Sequence, residues 1–362
     1  MTSRTILIMA GGTGGHVFPA LAIADALKQE GWRIIWLGSL KGIEARLIPQ
    51  AGYPIFWIKF AGLRGKGVSH LIMLPWRLIT SLLVCVMLIF RERPHVVLGM
   101  GGYVSFPGGL AALFLRCPLI IHEQNAIAGM VNRVCSKWAD RVLLGYPNAL
   151  HGPRNKIEVT GNPVRNEILK LGEPVERYAL RTGALNILVV GGSLGARALN
   201  ELMPQAMALL AETGRPRICH QTGKLDYEQV RLQYRQAAIE AEVVPFIENM
   251  AEAYAFADLV ICRSGALTVA ELAAAGVAGL LVPYPYAVDD HQTANARYLS
   301  DKGAALILDQ KGLTPAGLAE LIESMTRENL KHMAILARKL ARPDAVKHIA
   351  KACIHLVDGV YS

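Results

Sequence analysis

Thr5-Ile6-Leu7-Ile8-Met9-Ala10 runs without interruption into Gly11-Gly12-Thr13-Gly14-Gly15-His16, and then into a helical pattern over 18–27. A short apolar run, a glycine-rich corner and a helix, in that order, open a βα unit. The same layout returns 180 positions later: Asn186-Ile187-Leu188-Val189-Val190, then Gly191-Gly192-Ser193-Leu194-Gly195-Ala196, then a helix to about Leu210. Outward from the first copy, further short strands are expected at 33–37, 95–98 and 119–121, with helical stretches between them, among them 110–115 after Gly108 and Gly109. Apolar strands alternating with helices belong to buried parallel sheets. The expected class is therefore α/β: two doubly wound, Rossmann-like parallel-sheet domains facing an interdomain cleft, over residues 1–165 and 166–342. The polar stretch 167–185, with Gly172, Pro174 and Gly183, reads as a linker.

The 362 residues suit two domains, and 52% hydrophobic against 19% charged residues excludes a disordered chain. Cys85, Cys117, Cys135, Cys219, Cys262 and Cys353 are scattered with no C-x-x-C, so neither a disulfide framework nor a metal site is expected, and the cytoplasm is the expected compartment. The apolar run at the N-terminus spans about five residues, short of the ~7–15 of a signal peptide. Charge is uneven: residues 1–165 hold 18 basic and 7 acidic side chains, residues 166–362 hold 20 and 22. The first half should meet an anionic partner. Dispersed basic residues without an Arg-rich tract or finger spacing argue against nucleic acid.

The 20 residues 71–90 carry one charge, Arg77, and are long enough to span a bilayer. Pro75 and Arg77 interrupt them, leaving 13 clean residues, and a parallel crossover requires a helix at this place. An apolar crossover helix buried on the sheet is the plainer reading, and a crossover helix that also rests on a membrane is the functional one. Leu71, Trp76, Leu78, Ile79 and Leu82 would face lipid, while Arg91 and Arg93, with Arg64, Lys66 and Arg77, would meet anionic lipid phosphates.

Glycine corners after strands let backbone approach a phosphate, and the following helix directs N–H groups at it. A dinucleotide site would place Asp or Glu at the end of the second strand. Here those strands end Leu37-Gly38-Ser39-Leu40 and His220-Gln221-Thr222-Gly223, and no Walker lysine follows the glycines. NAD and ATP hydrolysis are thereby disfavoured. Cys262-Arg263-Ser264-Gly265-Ala266-Leu267-Thr268-Val269-Ala270-Glu271 follows a strand and opens a helix, with Glu271 placed to hold a ribose diol. Asp289-Asp290-His291-Gln292 suits sugar hydroxyls.

Taken jointly, GGTGGHVFPALAIA (11–24), GMGGYVSFPGG (99–109), HEQNAIAG (122–129), GNPVR (161–165), GGSLGA (191–196), CRSGALTVAE (262–271) and DDHQTANA (289–296) resemble the MurG family, glycosyltransferase family 28. The resemblance covers nearly the whole chain. It implies a GT-B fold with an acceptor-binding, membrane-associating first domain, a UDP-GlcNAc-binding second domain, and a C-terminal helix, about 343–362, packed back on the first. It implies inverting transfer of GlcNAc from UDP-GlcNAc to lipid I, forming lipid II at the cytoplasmic face of the inner membrane, without a cofactor, beside other cell-wall synthesis and division proteins. The donor contacts it implies are Thr13, Gly14 and Gly15 near sugar and phosphates, Asn125 on the sugar, and Arg165 and Ser193 on the diphosphate. Further donor contacts are the Ile247 backbone on uracil, Ala266, Leu267, Thr268, Val269, Ala270 and Glu271 on nucleotide and ribose, and Gln292 on GlcNAc. Gly102, Tyr103 and His122 fall to the acceptor. Inversion needs a base for the acceptor hydroxyl. His16 is the first candidate because imidazole titrates near neutrality; Glu123 is its rival and His122 a remoter one. A UDP-GlcNAc 2-epimerase and a non-catalytic cell-wall scaffold are the alternative functions.

Overall fold

A computed structural model describes residues 4–60, 73–153, 155–192 and 195–361, and divides into two compact units, Met1–Pro163 with Asp344–Ser362, and Val164–Pro343. Among the described residues the first unit holds seven parallel strands: β1 Thr5–Met9, β2 Arg33–Ser39, β3 Ile55–Ile58, β4 Val96–Gly99, β5 Leu119–Glu123, β6 Arg141–Leu144 and β7 Ile157–Val159, in the order β3-β2-β1-β4-β5-β6-β7. The second holds six: β8 Asn186–Val190, β9 Arg217–Gln221, β10 Ala241–Val244, β11 Leu259–Cys262, β12 Ala278–Leu281 and β13 Ala305–Ile307, ordered β10-β9-β8-β11-β12-β13. Both are doubly wound α/β units, the expected fold class.

Burial on both faces explains the aliphatic strands: every residue of β1 is buried. On one face of the first sheet pack Val17, Ile23 and Leu27 of helix Gly14–Gln29, together with Ile349, Cys353 and Val357 of the final helix Ala345–Tyr361. On the other pack Cys85, Leu88 and Ile89 of helix Leu74–Glu92 and Ala111 and Ala112 of helix Ser105–Phe114. Gly108 and Gly109 lie inside that last helix rather than ahead of it. A Cβ on Gly108 would stand 2.2 Å from Met9 Sδ, so glycine here lets the helix cross β1 closely.

The stretch 167–185 is not a linker. It contains helices Asn166–Leu169 and Pro174–Ala179 and is built into the second unit. Buried Tyr178 donates to the Asp258 carbonyl (2.6 Å), and Arg181 pairs with the fully buried Asp258 carboxylate (2.6 Å). Its polar side chains satisfy buried carbonyls, which composition alone does not reveal.

Helix Leu74–Glu92 is the crossover from β3 to β4 and is also long and apolar enough to cross a membrane. Leu78 and Leu82, expected to face lipid, pack instead on the core below the helix, because with Cys85 and Ile89 they form its sheet-facing stripe. The outward stripe is Trp76, Ile79, Leu83, Met87 and Phe90, each at least half exposed. Leu71, Arg64 and Lys66 lie outside the described residues.

Candidate active site

In doubly wound sheets ligands sit beyond the carboxyl ends of the strands where the winding reverses. Those places are the ends of β1 and β4 in the first unit and of β8 and β11 in the second.

In the first unit the corner 11–15 is held from within by Glu44. This fully buried carboxylate accepts from the Gly12 N–H (3.0 Å), the Ser39 N–H (2.9 Å) and the Ser39 hydroxyl (2.7 Å). The carboxylate sought at the end of β2 thus stands five positions beyond Ser39, gripping the protein's own glycine corner. Thr13, Gly14 and Gly15 form the exposed-to-half-buried start of helix Gly14–Gln29, whose first turn has no acidic residue. The half-buried His16 ring lies against the second glycine corner: a Cβ on Gly101 would come within 3.1 Å of its Cε1. Gly102, at φ +76°, could carry no side chain, since its Cβ would meet the Gly11 carbonyl at 2.8 Å. The Tyr103 ring stands beside Gly12. His16, Gly102 and Tyr103 are therefore brought together.

Two expected residues are occupied differently. Glu123, 1% exposed, accepts four hydrogen bonds, from the Asn125 N–H and amide at Oε1 and from the Gly129 N–H and Asn132 amide at Oε2 (2.9–3.2 Å). It holds the loop that presents Asn125. His122 is fully buried, with Nε2 on the Gly161 carbonyl (3.0 Å) and Nδ1 on the Gln124 amide (3.0 Å), so it offers no surface to an acceptor. Desolvation pushes its pKa down to about 4, and the ring is neutral.

In the second unit a cleft of about 580 Å³ is lined by Gly191, Gly192, Arg263, Thr268, Tyr284 and Gln292 among others. It joins the third glycine corner to the start of helix Ala266–Ala275, which has no acidic residue in its first turn and so presents a positive dipole end. On that helix Ala266 and Val269 are buried, while Leu267, Thr268, Ala270 and Glu271 are half-buried. Arg263 donates to the Val282 and Pro283 carbonyls and stacks over Tyr284. The Gln292 amide oxygen accepts from the Tyr284 N–H (2.8 Å), which directs its NH2 end as a donor. Ser193 lies outside the described residues.

One turn along the helix, Glu271 Oε1 takes the Arg165 guanidinium (2.9 and 3.2 Å) and Oε2 accepts from the Tyr254 hydroxyl (3.1 Å). Burial raises the Glu271 pKa against the lowering pull of Arg165, and burial keeps the Tyr254 phenol protonated. Arg165 and Glu271, expected on phosphate and ribose respectively, are thus each other's partners. Ile247 donates its N–H to Gln221 Oε1 (2.9 Å), and the Gln221 amide reaches the Gly192 carbonyl (3.0 Å). Beneath the corner, His220 is held neutral, burial lowering its pKa to about 3, and bonds Asn200 and Tyr234. A Cβ on Gly195 would stand 2.2 Å from the Thr222 carbonyl that Asn200 also grips.

Sequence reading missed Glu44, Gln124, Gln221 and Tyr254. The first three sit at or just beyond strand ends beside the glycine corners, which was a usable signal; Tyr254 carried none.

Models of the glycosyltransferase family 28 N-terminal and C-terminal domains match residues 6–144 and 186–349. The chain is similar to the UDP-N-acetylglucosamine–N-acetylmuramyl-(pentapeptide) pyrophosphoryl-undecaprenol N-acetylglucosamine transferase of Nitrosospira multiformis, at 54% identity over 355 residues, covering 98% of this chain and 99% of that protein. Its structure is similar to that of Acinetobacter baumannii MurG, with a TM-score of 0.86 at 42% identity, over 97% of this chain and 99% of that one. A putative UDP-N-acetylglucosamine 2-epimerase from Listeria monocytogenes, with a TM-score of 0.65 at 14% identity over 98% of this chain and 96% of that one, shares the fold alone.

Proposed function

The chain belongs to glycosyltransferase family 28 and has the GT-B fold, and we propose that it transfers GlcNAc from UDP-GlcNAc to the C4 hydroxyl of undecaprenyl-linked MurNAc-pentapeptide (lipid I), giving lipid II. The observation that carries this reading is the near full-length identity to a transferase of that description. The site chemistry supports it. The second unit, 164–343, takes the donor: uracil N3–H donates to the Ile247 carbonyl, Glu271 accepts from the ribose, and the NH2 of Gln292 reaches a GlcNAc oxygen. As UDP departs, charge grows on its phosphates. Arg165, the corner holding Ser193 and the N-terminus of helix Ala266–Ala275 are suited to stabilise that charge without a metal or other cofactor.

The first unit takes the acceptor beside Gly102 and Tyr103, with Thr13, Gly14, Gly15 and Asn125 on the sugar side. His16 removes the C4 proton as the oxygen attacks the anomeric carbon on the face opposite UDP, which inverts that carbon. Glu123 is set aside as the base because taking the proton would cost the hydrogen bonds that hold its loop. Exposed Trp76, Ile79, Leu83, Met87 and Phe90, with Arg91 and Arg93 at the helix end, suit peripheral attachment to an anionic membrane on the cytoplasmic side, where a lipid-linked acceptor would be met. Partners in cell-wall synthesis and division belong to the same reading.

The test is transfer of labelled GlcNAc to a lipid I analogue, with and without chelator. The expected result is label in the lipid product, with chelator making no difference. Conversion of UDP-GlcNAc alone to UDP-ManNAc would replace the transferase by an epimerase, and turnover of neither would leave a scaffold.

A further inference from the structure

His16 ends a chain of hydrogen bonds whose direction is set at the far end. The Gly161 carbonyl only accepts, so His122 Nε2, 3.0 Å away, carries the hydrogen. A neutral imidazole has one N–H, which leaves His122 Nδ1 as an acceptor, and the Gln124 atom 3.0 Å from it must be the NH2. The second hydrogen of that NH2 goes to the His122 carbonyl (3.1 Å), so the nitrogen end of Gln124 is fully used. Its oxygen therefore faces His16 Nδ1 at 2.9 Å, and an amide oxygen only accepts. His16 Nδ1 must carry the hydrogen.

We propose that Gln124 and His122 are positioning residues that fix His16 as the Nδ1–H tautomer, leaving Nε2 as the nitrogen that takes a proton. The links have little freedom. Gln124 is 1% exposed and His122 fully buried. The Gln124 backbone carbonyl accepts from the Asn162 amide (2.9 Å), and the His16 ring is confined against Gly101. In the neutral ring of His16 the other tautomer would set a bare Nδ1 against the Gln124 amide oxygen, lone pair facing lone pair; turning the amide over would move the His122 hydrogen to Nδ1 and leave the Gly161 carbonyl facing a bare nitrogen. The catalytic meaning of this arrangement rests on the reading of His16 as base; the tautomer itself does not.

The experiment is ring ¹⁵N spectroscopy of full-length protein labelled in histidine, above pH 7.5, with the His16 signals assigned by their loss in His16→Gln. The expected spectrum shows His16 protonated at Nδ1 and bare at Nε2, and His122 the reverse. Gln124→Leu should release the His16 preference and lower kcat ~10-fold or more, with KM for UDP-GlcNAc within about twofold, since a wrong tautomer at a catalytic histidine can cost far more than that. Gln124→Glu, which keeps an acceptor for His16 Nδ1–H, should retain the Nδ1–H signature, separating tautomer control from packing. A wild-type His16 protonated at Nε2 would overturn the proposal. So would a Gln124→Leu protein with unchanged His16 signals and kcat. The expected tautomer together with full activity in His16→Ala would support the tautomer assignment and sink the base.

Discussion

In the first unit the glycine corner after β1 closes on a carboxylate, Glu44, which takes the Gly12 amide and both donors of Ser39. In the second, the groups that bond the described part of the corner after β8 are neutral: Gln221 ties Gly192 to Ile247, and beneath it sit neutral His220 and Asn200, the latter held in turn by the Asp226 carboxylate (2.8 Å). Each corner follows the first strand of its unit, with positive φ at Gly12 and Gly192, and the two differ in the groups that hold them. A corner with a built-in carboxylate already has one amide and its local field compensated by the protein. A corner whose bonded groups are neutral, sharing a cleft with a helix start, keeps its capacity for an external anion. Net charge points the other way, because residues 1–165 are the basic half. On the proposed function that excess would serve attachment to an anionic membrane and not the nucleotide.

The sharpest break between the units is catalytic. His16→Ala should lower kcat by ~10²–10⁴-fold while UDP binding holds, measured by steady-state kinetics and calorimetry. Acid should weaken both units alike, through one buried neutral histidine in each. His122 and His220 have folded pKa values lowered to about 4 and about 3 from 6.5, so their contribution is full above 6.5 and is lost as pH falls toward the folded values. By pH 5 each should have cost about 2 kcal/mol, and His220→Gln should flatten the slope of unfolding free energy against pH over that range.

Next in size, Glu271→Ala should weaken UDP-GlcNAc binding by ~1–3 kcal/mol, and Tyr254→Phe, which frees one carboxylate oxygen, by about 1 kcal/mol. Glu44→Gln should instead lower stability by ~1–3 kcal/mol, read by thermal unfolding, and leave UDP affinity unchanged. A drop in UDP affinity there would erase the contrast between the corners. Smallest, charge reversal at Arg91 and Arg93 should release protein from anionic vesicles by about 1 kcal/mol per charge, read by co-sedimentation, with UDP affinity untouched.

The parts legible in the sequence were local. A strand, a glycine corner and a helix follow one another within some 25 residues, so β1 and β8 with their corners could be placed from pattern alone. The phase of helix Leu74–Glu92 could not, because a helix apolar on all sides gives no signal for which stripe faces the sheet; hence Leu78 and Leu82 changed places with Leu83 and Met87. Groups acting at a distance were equally hidden. Gln124 reaches His16 across 108 positions and Arg165 reaches Glu271 across 106, separations that no spacing rule covers. His122 and Glu123 looked reactive by residue type, yet a buried strand end turned their polar atoms inward to the loops they hold.

The division of labour between the corners is tested most directly by a crystal structure with UDP-GlcNAc bound. Uracil is expected at Ile247, ribose on Glu271 and diphosphate at the start of helix Ala266–Ala275 in the second unit. A nucleotide seated on the corner 11–15, displacing Glu44 from Gly12, would contradict that division.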